Sequence, residues 1–331
     1  MGGNLFKAGR VSKERYFQIV ASLIPILDKH FGESYRIPVA YREKADYGDV
    51  DIIVDAAIIL NKPQWKKELI KDLGVTETQS VRNVYSMLYM DFQVDVFLVG
   101  SRKLESTYNF MSYNILGNLI GRIYHKFNLR YGEDGLFYVL RGFNNHISKE
   151  ISVTRDMEKM LEFVGLSYER WKQGFDNVQE IFDYVIASKY FCATSYQKGN
   201  FVGRLERPDF MKFLDYVETN APDKNYPFVK TKEVYLDEID AFFGSELKTA
   251  YAQHIKRQEI LEKVSKKFNG HVVMSLLGLD GEPLGKFIGM YKKYRGDSFE
   301  HFMLNSNTKQ IEEDIVQFYN FLENAQENEY C

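Results

Sequence analysis

Tyr47-Gly48-Asp49-Val50-Asp51-Ile52-Ile53-Val54 constrains the fold more than any other stretch of the chain. The apolar, β-branched run after Gly48 predicts a buried strand. Side chains alternate along a strand, so Asp49 and Asp51 point to the same face. Two carboxylates side by side repel unless a cation sits between them. Mg²⁺ takes one or two carboxylates together with substrate phosphates, which makes the pair a candidate metal–triphosphate site.

Phe92-Gln93-Val94-Asp95-Val96-Phe97-Leu98-Val99 supplies a third acid. Asp95 lies mid-strand among apolar residues, where an unpaired carboxylate faces a heavy desolvation cost. A strand beside that of Asp51 would gather all three acids. Two-metal phosphoryl chemistry needs such a set, because the ions activate the attacking hydroxyl and steady the leaving pyrophosphate.

The rest of the composition narrows the class. A chain of 331 residues, 45% hydrophobic and 27% charged, predicts a globular protein of two domains. No apolar run approaches the ~18 residues of a membrane span, so no membrane partner is expected. The start, Met1-Gly2-Gly3-Asn4-Leu5-Phe6-Lys7, lacks the apolar core of a secretory signal. Phe6 stands where N-myristoylation requires Ser or Thr. Two cysteines, Cys192 and Cys331, make neither a disulfide framework nor a metal cluster and fit a reducing, cytoplasmic setting. The net charge of −3 excludes a global basic surface, so nucleic acid would have to bind a local patch. The 23 Tyr and 25 Phe are expected chiefly in the core, and any exposed ones could stack on bases. His30, His125, His146, His254, His271 and His301 have no metal-ligand spacing.

Residues 12–31 read as a helix capped by Ser12, with Tyr16, Phe17, Val20, Leu23, Ile24, Leu27 and Phe31 on one face and Pro25 bending or splitting it. Short strand character at 37–40 precedes a central strand over 49–60. A short helix over 63–73 leads to strands over 81–89 and 91–99. From Tyr108 the period turns helical, with Ile115, Leu119, Ile123 and Phe127 at i+4 spacing. A turn at 132–135 leads to a strand over 136–140. Helices follow over 154–164 and 176–190, then a loop over 220–227 and a last helix over 308–322. The change from mixed to helical patterning predicts a boundary near 172–200, dividing the chain into 1–172 and 173–331.

These segments resemble the nucleotidyltransferase superfamily that contains the DNA polymerase beta, or X, family. That family's palm carries Gly-Asp-x-Asp running into an apolar strand, then a lone Asp on a neighbouring strand, as Gly48, Asp49, Asp51 and Asp95 do here. The resemblance implies an α+β fold: a polymerase-beta-like palm of mixed sheet with helices, followed by a mainly helical C-terminal domain. It assigns Arg42 and Lys44, in Ala40-Tyr41-Arg42-Glu43-Lys44, to the incoming triphosphate. Val39-Ala40 departs from the family's Gly-Ser, whose hydroxyl and backbone hold the terminal phosphates. Tyr108-Asn109-Phe110-Met111-Ser112 resembles the family's Tyr-Phe-Thr-Gly-Ser, which implies that Tyr108, Asn109 and Ser112 line the nucleotide sugar. Leu116 to Leu136 and Ile151 to Leu166 resemble the following helix–turn–strand and closing acidic helix. The resemblance covers roughly 38–172. The family's N-terminal lyase and helix-hairpin-helix modules are not expected in the roughly 35 residues before it.

The C-terminal half offers less. Asp280 and Phe287 exclude a phosphate-loop reading of Leu276 to Ile288, which reads as a Gly-capped turn between helices. This stretch is also similar to a turn and helix near the end of CCA-adding enzymes and bacterial poly(A) polymerases. Lys286, Lys292, Lys293 and Arg295 would be a solvated face or an acceptor-strand contact. The start of the chain resembles phage nucleotidyltransferases, which implies a phage-encoded member acting in the host cytoplasm.

The expectation is an enzyme using Mg²⁺, or Mn²⁺ in its place, to transfer a nucleotide from an NTP or dNTP to a nucleic-acid 3′-hydroxyl, releasing pyrophosphate. Asp49, Asp51 and Asp95 are the expected metal ligands. The acceptor reads as a DNA primer by the polymerase resemblance or as tRNA or other RNA by the C-terminal one. A toxin-type enzyme acting on a host target and a degenerate binding module are the alternatives.

Overall fold

The computed structural model describes residues 5–60, 62–197 and 208–329, with side chains placed through 324. Two units form: 1–139 with 150–247, and 140–149 with 248–331. Residue 172 lies inside the first. Met1 to Asn4, which belong to the start compared above with phage enzymes, and Cys331 lie outside the described residues.

A five-stranded mixed sheet organises the first unit, in the order β2 (Tyr35–Arg36), β4 (Asp49–Asp55), β7 (Phe92–Val99), β6 (Val84–Tyr89), β5 (Thr78–Val81). β4 and β7 run parallel, while β2 pairs antiparallel with β4 and β6 with both β7 and β5. A short ribbon of β1 (Val11–Ser12) and β3 (Asp46–Tyr47) leads into β4. A third sheet has the order β10 (Ile147–Thr154), β9 (Gly135–Arg141), β8 (Leu129–Gly132).

Alternation sorts β4 and β7 into two faces. Val50, Ile52, Val54, Val94 and Val96 share a core with Ile19, Leu23, Leu27 and Phe31 of α1 (Lys13–Phe31) and with Trp65, Leu69 and Leu73 of α2 (Trp65–Leu73). Burying each such side chain contributes roughly 1.5–3 kcal/mol. On the opposite face, Ile53 and Val99 pack against Leu104 of α3 (Leu104–Met111), with Tyr108 and Met111. The acids therefore lie on the side away from α1 and α2.

Ser12 caps α1 through its hydroxyl, which accepts from Arg15 N at 3.3 Å. Pro25 does not split α1, because it sits on the exposed side, where water can satisfy the carbonyl its missing N–H leaves over. The central strand ends at Asp55, short of the expected 60. Asp55 Oδ1 accepts from Ala57 N at 2.9 Å and Ser101 Oγ at 2.8 Å, starting a 3₁₀ turn over Ala56–Ile59. The strand expected over 81–89 breaks at Arg82-Asn83 into β5 and β6. β6 and β7 form a hairpin through Met90 (φ 52°) and Asp91 (φ 59°), both left-handed, as a tight primed turn requires.

Beyond α3 come α4 (Leu116–Tyr124), α5 (Met157–Phe163), α6 (Tyr168–Gln173), α7 (Val178–Ile186), α8 (Pro208–Asn220) and α9 (Leu236–Phe243). The sequence reading missed β10, whose exposed and polar run carries little alternation. Cys192 is buried, and much of the aromatic surplus is core: Phe31, Phe92, Tyr124, Phe127, Phe163 and Phe213 are fully enclosed.

In the second unit, α10 (Leu247–Lys267), α11 (Gly270–Leu277), α12 (Gly281–Arg295), α13 (Phe299–Asn305) and α14 (Thr308–Glu329) enclose Phe268, Val273, Phe287, Tyr291, Met303, Ile311 and Ile315. Gly278 closes α11 at φ 68°, the left-handed cap anticipated for this stretch. Of the basic run, Lys286 pairs with Glu282, Lys292 lies over Phe299, and Arg295 pairs with Asp314. No described helix is long and apolar enough to cross a membrane.

Candidate metal site

The register of β4 against β7 places Asp51 directly opposite Asp95 and Asp49 opposite Gln93. Paired positions share a face, so the three acids and Gln93 lie on one side of the sheet, together with Ser86 of β6, which stands opposite Asp95. Each of Asp49, Asp51 and Asp95 offers a carboxylate oxygen, and these oxygens lie within 4.8 Å of one another. Asp49 and Asp51 are half-buried, and Asp95 is only 6% exposed.

Electrostatics at this spacing are unfavourable without a cation. Burial, then the charges of Asp49 and Asp95, holds the Asp51 carboxyl well above the usual carboxylate range. One oxygen of Asp95, Oδ2, accepts from Gln93 Nε2 at 2.8 Å. The other, Oδ1, is buried with no hydrogen-bond partner. A buried carboxylate oxygen left unpaired costs free energy that a metal ion would recover. The all-oxygen donor set suits a hard divalent cation. The cluster could therefore hold a metal ion.

Among the described residues, Lys44 is a side-chain cation whose charge bears on Asp51. Its Nζ donates to Asn114 Oδ1 at 3.3 Å and stands 4.4 Å from the centre of the Tyr47 ring. Burial and then the charge of Arg10 lower its pKa, and Asp49, Asp209 and Asp51 oppose that shift. Arg42 is engaged elsewhere: its guanidinium bonds Asp176 Oδ1 at 2.5 Å and the carbonyl of Gln173. Gly48 is buried at the entry to β4.

Tyr108, Asn109 and Ser112 lie at the end of α3 and just past it. The Tyr108 ring meets Trp171 edge-on at 6.4 Å, and Asn109 is half-buried. Ser112 is fully enclosed: its Oγ donates to Tyr108 O at 2.7 Å and accepts from Val39 N at 3.4 Å. Tyr113 N bonds Val39 O at 2.6 Å, so the 39–40 segment is tied to the chain after α3. Val39 and Ala40 line a cleft of about 370 Å³ with Tyr16, Phe17, Tyr41 and Tyr47. Tyr16 and Tyr47 stack there at 3.8 Å. The lining is mainly apolar, and Val39-Ala40 brings no serine hydroxyl to it.

Two residues at the site escaped the sequence reading. Gln93 had a signal: it stands two before Asp95 and so shares its face. Asn114 follows Tyr113 in a pair of left-handed residues (φ 59° and 57°), a backbone state Asn tolerates but one that no motif announced.

No protein-family model matches the chain, and no curated protein matches it.

Proposed function

We propose that the chain is a divalent-metal-dependent nucleotidyltransferase of polymerase-beta-like type, moving a nucleotide from an NTP or dNTP to a nucleic-acid 3′-hydroxyl. The observation that carries this reading is the convergence of Asp49, Asp51 and Asp95 within 4.8 Å, with an unpaired buried oxygen on Asp95.

In this reading Asp49, Asp51 and Asp95 hold Mg²⁺, with Mn²⁺ as a substitute. A bound ion would polarise the reacting phosphate and lower the pKa of the attacking hydroxyl. The chain's own residues position the reactants. Lys44, half-buried and close enough to feel Asp49 and Asp51, offers a point charge to the triphosphate. Arg42 would have to leave Asp176 to do the same. Tyr108 and Asn109 would border the sugar, while Ser112 holds the end of α3 to Val39. Catalysis is then positioning and charge stabilisation.

A cation-binding module without transfer activity is the second reading. The apolar lining at Val39 and Ala40 and the engaged Arg42 favour it. The discriminating experiment incubates the full chain with labelled NTPs or dNTPs, Mg²⁺ or Mn²⁺, and either primed DNA or pooled tRNA. Labelled product with pyrophosphate release supports transfer, and the acceptor that carries the label separates the DNA from the RNA reading. No product on any acceptor, with no melting shift on adding nucleotide, leaves the module.

A further inference from the structure

Asp95 is held by a side chain that has no place in the reaction proposed above. Gln93 stands on the same face of β7, two residues earlier, opposite Asp49 on β4. It is only 4% exposed. Its amide makes two contacts of opposite polarity: Nε2 donates to Asp95 Oδ2 at 2.8 Å, and Oε1 accepts from the backbone N–H of Leu5 at 3.0 Å. The pair of contacts fixes which end of the amide faces which partner, since the Leu5 N–H can only donate. A flipped amide would set its carbonyl against the carboxylate and its NH₂ against the Leu5 N–H, losing both bonds.

We infer that Gln93 is a positioning residue: it engages Asp95 Oδ2 so that Oδ1 stays available to the cation, and the Leu5 amide locks the orientation in which it does so. The three-part chain Leu5–Gln93–Asp95 crosses 88 residues of sequence at its first contact, so the segment before β1 supports the metal site. A neutral amide is suited to this task. It orients the carboxylate without adding a positive charge that would compete with the ion. Hydrogen bonds of this kind to a ligating carboxylate raise metal affinity about 10–100-fold. The inference rests on the reading of Asp49, Asp51 and Asp95 as metal ligands.

The test follows Mn²⁺ binding to the full chain by electron paramagnetic resonance, with the metal-free melting temperature as the control for folding. Four proteins are compared: wild type, Asp95→Asn, Gln93→Met and Leu5→Pro. Methionine keeps the length of glutamine and removes its N–H donor. Proline at position 5 removes the backbone donor and leaves Gln93 in place. Wild type should bind and Asp95→Asn should lose binding. Gln93→Met should weaken Mn²⁺ affinity about tenfold or more with little change in metal-free melting. Leu5→Pro should weaken it by a smaller factor. Failure of wild type to bind overturns the metal-site reading itself. Binding by wild type with undiminished affinity in a folded Gln93→Met overturns the positioning role. Weakening in Gln93→Met but not in Leu5→Pro overturns the Leu5 lock. If Gln93→Met does not fold, Gln93→Leu, which removes the same donor, takes its place under the same criterion, and Leu5→Pro continues to test the Leu5 lock alone.

Discussion

Asp51 and Asp95 face each other as direct partners across the parallel β4–β7 pair, 44 positions apart in sequence and adjacent in the sheet. That juxtaposition turns two separate strand acids into one site. It also means that changing either acid alters the charge felt by the other.

Asp95→Asn should lose nucleotide transfer by about 1,000-fold, the scale of the several kcal/mol that a metal's charge contributes to such a transition state. The fold should persist, because the substitution keeps the shape and removes a repulsive charge from a buried cluster. Steady-state kinetics and circular dichroism check both halves. Near-normal activity would sink the three-acid assignment.

Metal binding and pH should be linked through Asp51. Its folded pKa is raised, first by burial and then by Asp49 and Asp95, so the metal-free fold keeps a proton that the unfolded chain loses above about pH 4. The unfolded state then binds fewer protons than the native one. This group therefore supports stability at low pH, and that support is lost as pH rises towards the raised folded value. A cation favours the ionised form, so the melting shift produced by Mg²⁺ should grow as pH rises from 5 to about 8. Differential scanning calorimetry with EDTA and with Mg²⁺ measures it, and Asp51→Asn should flatten the dependence.

Much of this site was legible in the sequence, and the limits have physical causes. The period-two alternation in 49–55 and 92–99 placed all three acids, because a strand's geometry is local. The parallel register that sets Asp51 opposite Asp95 is not local. It depends on how α2 and the β5–β6 pair return the chain. The Asp176 partner of Arg42 lies 134 residues away, so the resemblance to a phosphate-binding arginine carried no sign of it. The end of β4 at Asp55 was missed for another reason: an aspartate turning back on its own backbone competes with strand continuation through Ala56 to Leu60.

Lys44 and Arg42 should separate on substitution. Lys44→Met should raise the KM for nucleotide about tenfold, the loss of one charge-assisted contact. Arg42→Met should leave KM close to wild type and lower the melting temperature slightly, because its guanidinium is committed to Asp176 and Gln173. The reverse pattern would return the phosphate contact to Arg42.

The β6–β7 turn holds Met90 in a left-handed conformation that a long side chain disfavours. Replacing Met90-Asp91 by Asn-Gly should stabilise the protein by about 1 kcal/mol, read by urea denaturation. No gain would mean that contacts of Met90, such as Ser22 Oγ at 3.6 Å, offset its backbone cost.

The most direct measurement is a crystal structure of the chain soaked with Mn²⁺ and a non-hydrolysable nucleoside triphosphate, with anomalous scattering to locate the ion. The expected result is an anomalous peak bound by oxygens of Asp49, Asp51 and Asp95, with the triphosphate against it. At saturating Mn²⁺ and nucleotide, no peak among the three carboxylates would contradict the metal site, and a metal there without bound triphosphate would contradict nucleotidyl transfer.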